Sequence, residues 1–571
     1  MLRNFFQFPY LHIWKIHDIL LQMDSKKIIS TNTFVIDSDS LEKTESRMIG
    51  FMICDDGTFY LHTTPPKASD TGTYVLIERK GDTISISQDT CGSFGLFLYK
   101  DGDRFLLSNS FYAIAEKIPE KLSLNKEHLL SFLYAKESSA DDGETLAREI
   151  SRIASDTSIS ITISTKEIHF FQKKSTCFSR SLQTKADFDL LDAWYFKWVR
   201  FYRSLAEKHL PLFADITGGL DTRVILSMLI NAGIDITSTV PMANHTFVNL
   251  PKDADDMRIA KTISAKLHFP LNANVIHLEK TARQNSEDIF NITRSFPLEQ
   301  SIYCKMSNVY YQTPTFAAKG LGSILKGSVS SWGKAWTGMQ DVYTEYDTIA
   351  DTFLDKQPSL SEKERDACKK SAHSKIRKQA KKILAGLSLD DEHSATYFYK
   401  RIWLEGRDAK KTLCNYLINF FIVTPFTDSL IQSFDYNPYG DDPLYLATQI
   451  LSRYCPQLLE FEIENRSFSP KSIERAQALN QKYPPAMPAF DKIYGSEQTV
   501  YTEECEWEDL SAMLKAKLTD KDFTSRIDSL IGSELREAII AESPAELHFK
   551  RPFRPYILLA AYEFLRLTDG V

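Results

Sequence analysis

The hydrophobic period of this chain changes once, near residue 186, and that change limits the folds open to it. Between about 30 and 175, apolar residues come in short runs broken by turn residues: TFVID, MIGFMIC, FYLHTT, TYVLIER, TISISQD, GLFLYKDGDRFLLS and SISITIS. Such runs mark β-strands, and KDGD between Tyr99 and Arg104 reads as a hairpin turn. From about 186, longer helical segments alternate with isolated apolar strands, as in PLFADI, DITSTV and NVIHLE. Strand–helix–strand alternation implies a parallel sheet covered by helices. The expected class is therefore α/β, with a β-rich domain over 1–185 followed by a doubly wound domain over 186–571. At 571 residues the chain exceeds one core, and two to four domains are the expected range.

Composition excludes several classes of function. With 43% hydrophobic and 25% charged residues the chain reads as soluble and globular, and its net charge of -7 argues against a general polyanion binder. No nucleic-acid partner is expected. Cys54, Cys91, Cys177, Cys304, Cys368, Cys414, Cys455 and Cys505 are scattered without a CxxC pair, which fits neither a zinc site nor a disulfide scaffold. A reducing, cytoplasmic setting follows as an expectation. His12, Lys15 and Asp18 interrupt the apolar N-terminus, which lacks the continuous core of a signal peptide. The run CNYLINFFIVTPF (Cys414 to Phe426) is too short to span a bilayer, holds Asn415, Asn419 and Pro425, and is expected to be a buried helix. No membrane partner is expected. EKERDACKKSAHSKIRKQAKK (Glu362 to Lys382) reads as a charged surface helix.

The stretch most suggestive of chemistry is DITGGLDTRV, residues 215–224. PLFADI before it reads as a buried strand, and Ile225, Met228, Leu229 and Ala232 after it follow helical spacing up to Gly233. Two glycines at such a junction let amides approach an anion, and the helix start adds unpaired donors and positive dipole. Phosphate is the expected guest. The residues leave open a plainer role, a tight turn in which Asp221 and Thr222 only cap the helix.

TGGLDT resembles the SGGxDS pyrophosphate loop of ATP-dependent adenylating enzymes, and the order of elements resembles the synthetase domain of the asparagine synthetase family, which includes β-lactam synthetase and lasso-peptide cyclases. Further stretches are similar in the same order: ISQDTCGSFGLFLYKDGDRFLLSNSFYAIAEK (Ile86 to Lys117), DADDMRIAKTISAKLHFP with Asp256, Ala260 and Ala265, VTPFTDSLI, and DDPLYLATQILSRYCPQLLEFEIENRSFSP. The first of these resembles the class II glutamine amidotransferase-like domain. The resemblance thus implies an amidotransferase-like domain followed by a pyrophosphate-loop ATPase domain. The implied activity is carboxylate activation by ATP to an acyl-adenylate, then attack by ammonia or an amine.

The resemblance also implies roles for individual residues. Amides of Gly218, Gly219 and Leu220, hydroxyls of Thr217 and Thr222, and a magnesium ion held by Asp221 would neutralise the departing pyrophosphate. Main-chain groups at Ile216 and Val240 would meet the adenine of ATP. Arg466, with Lys471 slightly later, stands where the family has a lysine beside the reacting acyl group, which makes Asp221 and Arg466 the catalytic candidates. The implied partners are a small-molecule or peptide carboxylate and an amine or ammonia donor, and a homodimer is compatible with them.

Three departures accompany the resemblance. Leu2 occupies the position of the family's cysteine nucleophile, and the first cysteine, Cys54, lies in a strand-like run and reads as core, so no glutaminase is expected. A G-x-G-x-D-[EI] segment carrying a second metal-ligating acid is placed at LKGSVSSWGKAW (Leu325 to Trp336), where Gly327 and Ser328 could approach phosphate but Ser330 and Ser331 replace the acid, with Lys326 or Lys334 adding charge. Arg466 remains protonated and cannot shuttle a proton as a lysine can. Two functional readings follow: a ligase without its own glutaminase, and a catalytically impaired homologue that binds nucleotide or a partner.

Overall fold

The structure is a computed structural model that describes residues 25–134, 143–173, 175–233, 242–243, 255–269, 314–322, 325, 336–355, 361–404, 408–417, 419–463, 467–486, 516–541 and 553–568. Its strands are β1 (Val35–Asp37), β2 (Arg47–Ile53), β3 (Phe59–Leu61), β4 (Gly72–Lys80), β5 (Thr83–Gln88), β6 (Leu96–Asp101), β7 (Arg104–Ser108), β8 (Ile150–Ile153), β9 (Thr157–Thr162), β10 (Ile168–Gln172), β11 (Leu212–Asp215), β12 (Met242–Ala243), β13 (Thr315–Ala318) and β14 (Phe420–Val423). Six helices matter to the site and its supports: α1 (Lys185–Glu207), α2 (Leu220–Asn231), α3 (Asp255–Leu267), α4 (Asp391–Trp403), α5 (Ala409–Tyr416) and α6 (Tyr445–Tyr454). The whole is a mixed α/β fold.

Alternating residues build the first two sheets, which are antiparallel throughout. One has the order β10-β9-β5-β4-β2-β3 and the other β1-β7-β6-β8. Ile77 lies opposite Ile86, and Ile86 opposite Ile159, so one face of the larger sheet carries a continuous buried row. The expected hairpin joins β6 to β7 through a two-residue turn closed by Asp101 and Arg104, with Gly102 at φ +59. The charged segment from Glu362 forms a helix to Ile383, opened by a capping box between Ser361 and Glu364.

The apolar run from Cys414 corrects one expectation. It is not a single buried helix: α5 ends at Tyr416, Asn419 takes φ +62, and Phe420–Val423 is β14. β14 pairs in parallel with β13, and Phe421, Ile422 and Val423 are buried. A strand buried on both faces reads as an unbroken apolar run, so its period cannot separate it from a helix.

Packing crosses the expected 185/186 boundary. The Phe51 ring lies 5.3 Å from Phe421, and Phe59 lies 5.1 Å from Phe316, so β2 and β3 pack their rings on β13 and β14. Beside this contact runs α1, started by a Thr184–Asp187 capping box, with Trp194, Trp198, Phe201 and Tyr202 fully buried. Each such ring contributes about 2–3 kcal/mol before the entropy of ordering it is subtracted. The C-terminal helices return to the first sheets, where Phe523, Ile527, Ile557 and Phe564 share a core with Phe97, Leu106 and Phe111.

Candidate functional site

The parallel sheet has the order β12-β11-β13-β14, with β11 between the strands that follow it in sequence. The connection leaving β11 leads to β12 on one side and the connection leaving β13 leads to β14 on the other. At such a point a crevice lies outside the carboxyl ends of the strands. Ile216–Thr222 leaves β11 at this place, and Lys319–Gly322 leaves β13 beside it.

Side chains hold the turn after β11. The Thr217 amide donates to Thr222 Oγ1 at 3.2 Å, the two hydroxyl oxygens are 3.0 Å apart, and the Gly219 amide donates to Thr217 Oγ1 at 3.0 Å. The Gly218 amide donates to the Asp256 carboxylate on α3. Ile216 and Leu220, on either side, are buried in the core. Gly219 is the N-cap of α2, so the helix start carries no capping side chain. Asp221 and Thr222 lie inside the first turn, and Thr222 turns its hydroxyl back to Thr217 rather than capping.

The two glycines are required for different reasons. A Cβ on Gly218 would lie 2.9 Å from Asp256 Oδ1 and 3.0 Å from Ile259 Cδ1, so the turn is pressed against α3. A Cβ on Gly219 would meet only Thr217 Oγ1, at 3.1 Å, and the residue has φ -77 and ψ 168, ordinary extended backbone. Gly219 thus keeps the approach to the helix start open. It is not there to relieve strain.

Two further elements complete the surroundings. Lys319 Nζ donates to both Asp215 oxygens, at 3.3 and 3.0 Å, joining the ends of β13 and β11. Asp221 backs onto Gly320, where an added Cβ would lie 2.6 Å from Asp221 Cβ. Arg223 is fully buried and donates to the carbonyls of Phe461, Gly218 and Glu462, clamping the turn to the segment after α6. Burial pulls the Arg223 pKa down to about 10, opposed by the nearby charge of Asp256. Among the described residues no three His, Cys, Asp or Glu side chains are grouped to hold a metal.

The turn and Asp221 are joined by Asp215, which opens the stretch singled out in the sequence, and by Lys319 and Gly320, which the sequence did not point out. Their one signal is AAKGLG, a G-x-G directly after an apolar strand. The described glycine pair at the end of β13 is Gly320 and Gly322. Gly327, Ser328, Ser330, Ser331, Lys326 and Lys334 lie outside the described residues, as do Val240, Arg466 and Leu2. Lys471 pairs with Asp441 at 2.7 Å on the surface. Cys54 departs from its expected core position: it is half-buried after β2, and burial followed by Asp56 and Asp55 raises its thiol pKa. Those influences oppose a thiolate nucleophile. No helix among the described residues is long and apolar enough to cross a membrane. In comparisons with known proteins, no family model and no curated protein matches the chain.

Proposed function

We propose that this chain is an ATP-dependent amide-forming ligase of the asparagine synthetase type, working without a glutaminase of its own. The observation that carries the reading is the glycine turn at the carboxyl end of β11, opening α2 beside the end of β13. The donors there fit a phosphate: the amides of Gly218 and Gly219, the hydroxyls of Thr217 and Thr222, and the uncapped start of α2. Main-chain groups at Ile216, with Val240, would meet the adenine, and Leu220 would add its amide. Asp256 would release the Gly218 amide as phosphate takes its place. Lys319, held at the edge by Asp215, would supply a point charge to the departing pyrophosphate. Bound magnesium would add neutralising charge, with Asp221 as protein ligand and phosphate oxygens as the others. Arg466 would stabilise charge at the acyl group, and ammonia or an amine would complete the amide.

Two observations favour a second reading, a homologue that binds nucleotide or a partner without chemistry. The stretch that the resemblance aligns with the second metal-ligating acid carries Ser330 and Ser331 in its place. The Asp256 carboxylate also occupies the place of an anion on Gly218. Carboxylate-dependent exchange of labelled pyrophosphate into ATP separates the two. Exchange with any member of a panel of amino-acid and peptide carboxylates supports the ligase. ATP-dependent thermal stabilisation without exchange selects the second reading, and no ATP binding at millimolar concentration overturns both.

A further inference from the structure

Phe170 and Phe171 are the most exposed large apolar side chains among the described residues, at 51% and 56%. Both lie on β10, the edge of the six-stranded sheet, whose described partner is β9 alone. An apolar edge strand offers a row of backbone donors and acceptors to another strand. The register with β9 shows which ones. The Glu167 carbonyl accepts the Thr162 amide, and the Lys173 amide donates to the Asp156 carbonyl. With alternation along an antiparallel pair, odd-numbered residues of β10 face β9, and Ile168, Phe170 and Gln172 turn their amides and carbonyls outward.

An added strand must pair through those same positions, and β10 itself does so. An antiparallel two-fold centred on Phe170 sets Phe170 against its own copy, Ile168 against Gln172, and His169 against Phe171. It also sets Glu167 against Lys173 at both ends. Both charged side chains are exposed. A two-fold centred on His169 would place Glu167 opposite Phe171, and one centred on Phe171 would place His169 opposite Lys173. Only the Phe170 centre opposes unlike charges while covering the exposed rings.

We infer that two copies of this chain pair through β10 about a two-fold axis at Phe170, continuing the six-stranded sheet across both. The interface is isologous, since the same strand serves both sides. Seven residue pairs bury less than the roughly 1,200 Å² of a tight complex, so the dimer forms in a concentration-dependent way.

Sedimentation velocity on the full chain from about 1 to about 100 µM tests the pairing. A reversible monomer–dimer equilibrium is expected. Phe170→Lys, which opposes like charges at the axis, should raise the dissociation constant at least about tenfold. Phe170→Pro should do the same, because the amide it removes faces outward and not toward β9. Glu167→Lys and Lys173→Glu should each weaken the dimer several-fold, and the double exchange Glu167→Lys/Lys173→Glu should restore it. A chain that stays monomeric throughout the range overturns the inference. So does a dimer untouched by Phe170→Lys, or single charge reversals that the double exchange does not rescue.

Discussion

Lys197 and Lys319 hold an aspartate at nearly the same distance, 2.9 Å to Asp428 and 3.0 Å to Asp215, but in opposite settings. Lys197, on α1, also donates to Thr71 Oγ1 just before β4, and both charged side chains of its pair are 2% exposed. Burial pushes the Asp428 carboxyl up while Lys197 pulls it down. That pair joins the antiparallel sheets to the segment after β14, away from solvent. Lys319 and Asp215 sit at strand ends, about a tenth exposed, beside the glycine turn. A charge sealed in the core braces what its fixed partners belong to, here Asp428, Thr71 and, at 3.8 Å, the rim carboxylate of Asp55. A charge at the carboxyl ends of parallel strands can exchange its aspartate for the phosphate of a ligand.

The largest expected effect tests the brace. Lys197→Met leaves Asp428 buried without its cation and should cost about 3–5 kcal/mol in urea unfolding. Lys197→Met/Asp428→Asn should recover most of that loss, because it removes the stranded buried charge and keeps the side-chain oxygen that accepts the Leu430 amide. A single variant within about 1 kcal/mol of the parent would erase the contrast between the pairs.

Next comes the acid beside the second pair. Asp221→Asn keeps the shape of the first turn of α2 and removes the charge proposed to hold magnesium. It should lower pyrophosphate exchange at least about 100-fold, roughly 2.7 kcal/mol of transition-state stabilisation, with unfolding changed by less than about 0.5 kcal/mol. Wild-type exchange in this variant would return the turn to a structural role.

These sites were unequally legible in the sequence. The glycine turn could be read because all its parts lie within ten residues of one another, from Asp215 to Val224. The strands β4, β5, β6 and β7 could be read because apolar runs and a Gly turn are local signals. β14 reads as helix in the sequence because Phe420, Phe421, Ile422 and Val423 show no period when both faces are covered. Lys319 and Gly320 could not be placed, since their meeting with Asp215 and Asp221 depends on β11 pairing with β13 about a hundred residues later. Asp256 reads in the sequence as a helix residue, but its seat on the Gly218 amide exists only once α3 packs on the turn.

Lys319→Met sharpens the comparison at smaller amplitude. The pair is about nine-tenths buried, so loss of the ammonium should cost about 1–3 kcal/mol of stability, below that of Lys197→Met. Its proposed contact with phosphate should instead appear as an ATP dissociation constant raised about tenfold, or 1.4 kcal/mol. A stability loss equal to that of Lys197→Met, with unchanged ATP binding, would make both pairs braces.

The smallest effect comes from a cation that can be switched off. His393, at the start of α4, has Asp390 at 2.7 Å from Nδ1 and Asp435 at 3.0 Å from Nε2, and its ring lies against Phe178 and Tyr436. Both nitrogens face carboxylates, so only the imidazolium can donate to both, and Asp435 first, then Asp390, raises the pKa to about 9 against the cost of burial. A group with a raised folded pKa stabilises fully below its unfolded value near 6.5, and that stabilisation is lost as pH climbs through about 9. Between pH 6.5 and 9.5 the parent should therefore lose about 1 kcal/mol more than His393→Gln, the shift being discounted for the ring's partial contact with water. Urea unfolding of both proteins across that range measures the difference. Parallel pH profiles would show that the ring is held by Phe178 and Tyr436 packing alone, whereas a gap that closes only above pH 9 would place this histidine between Lys197 and Lys319, a brace that works only while it is charged.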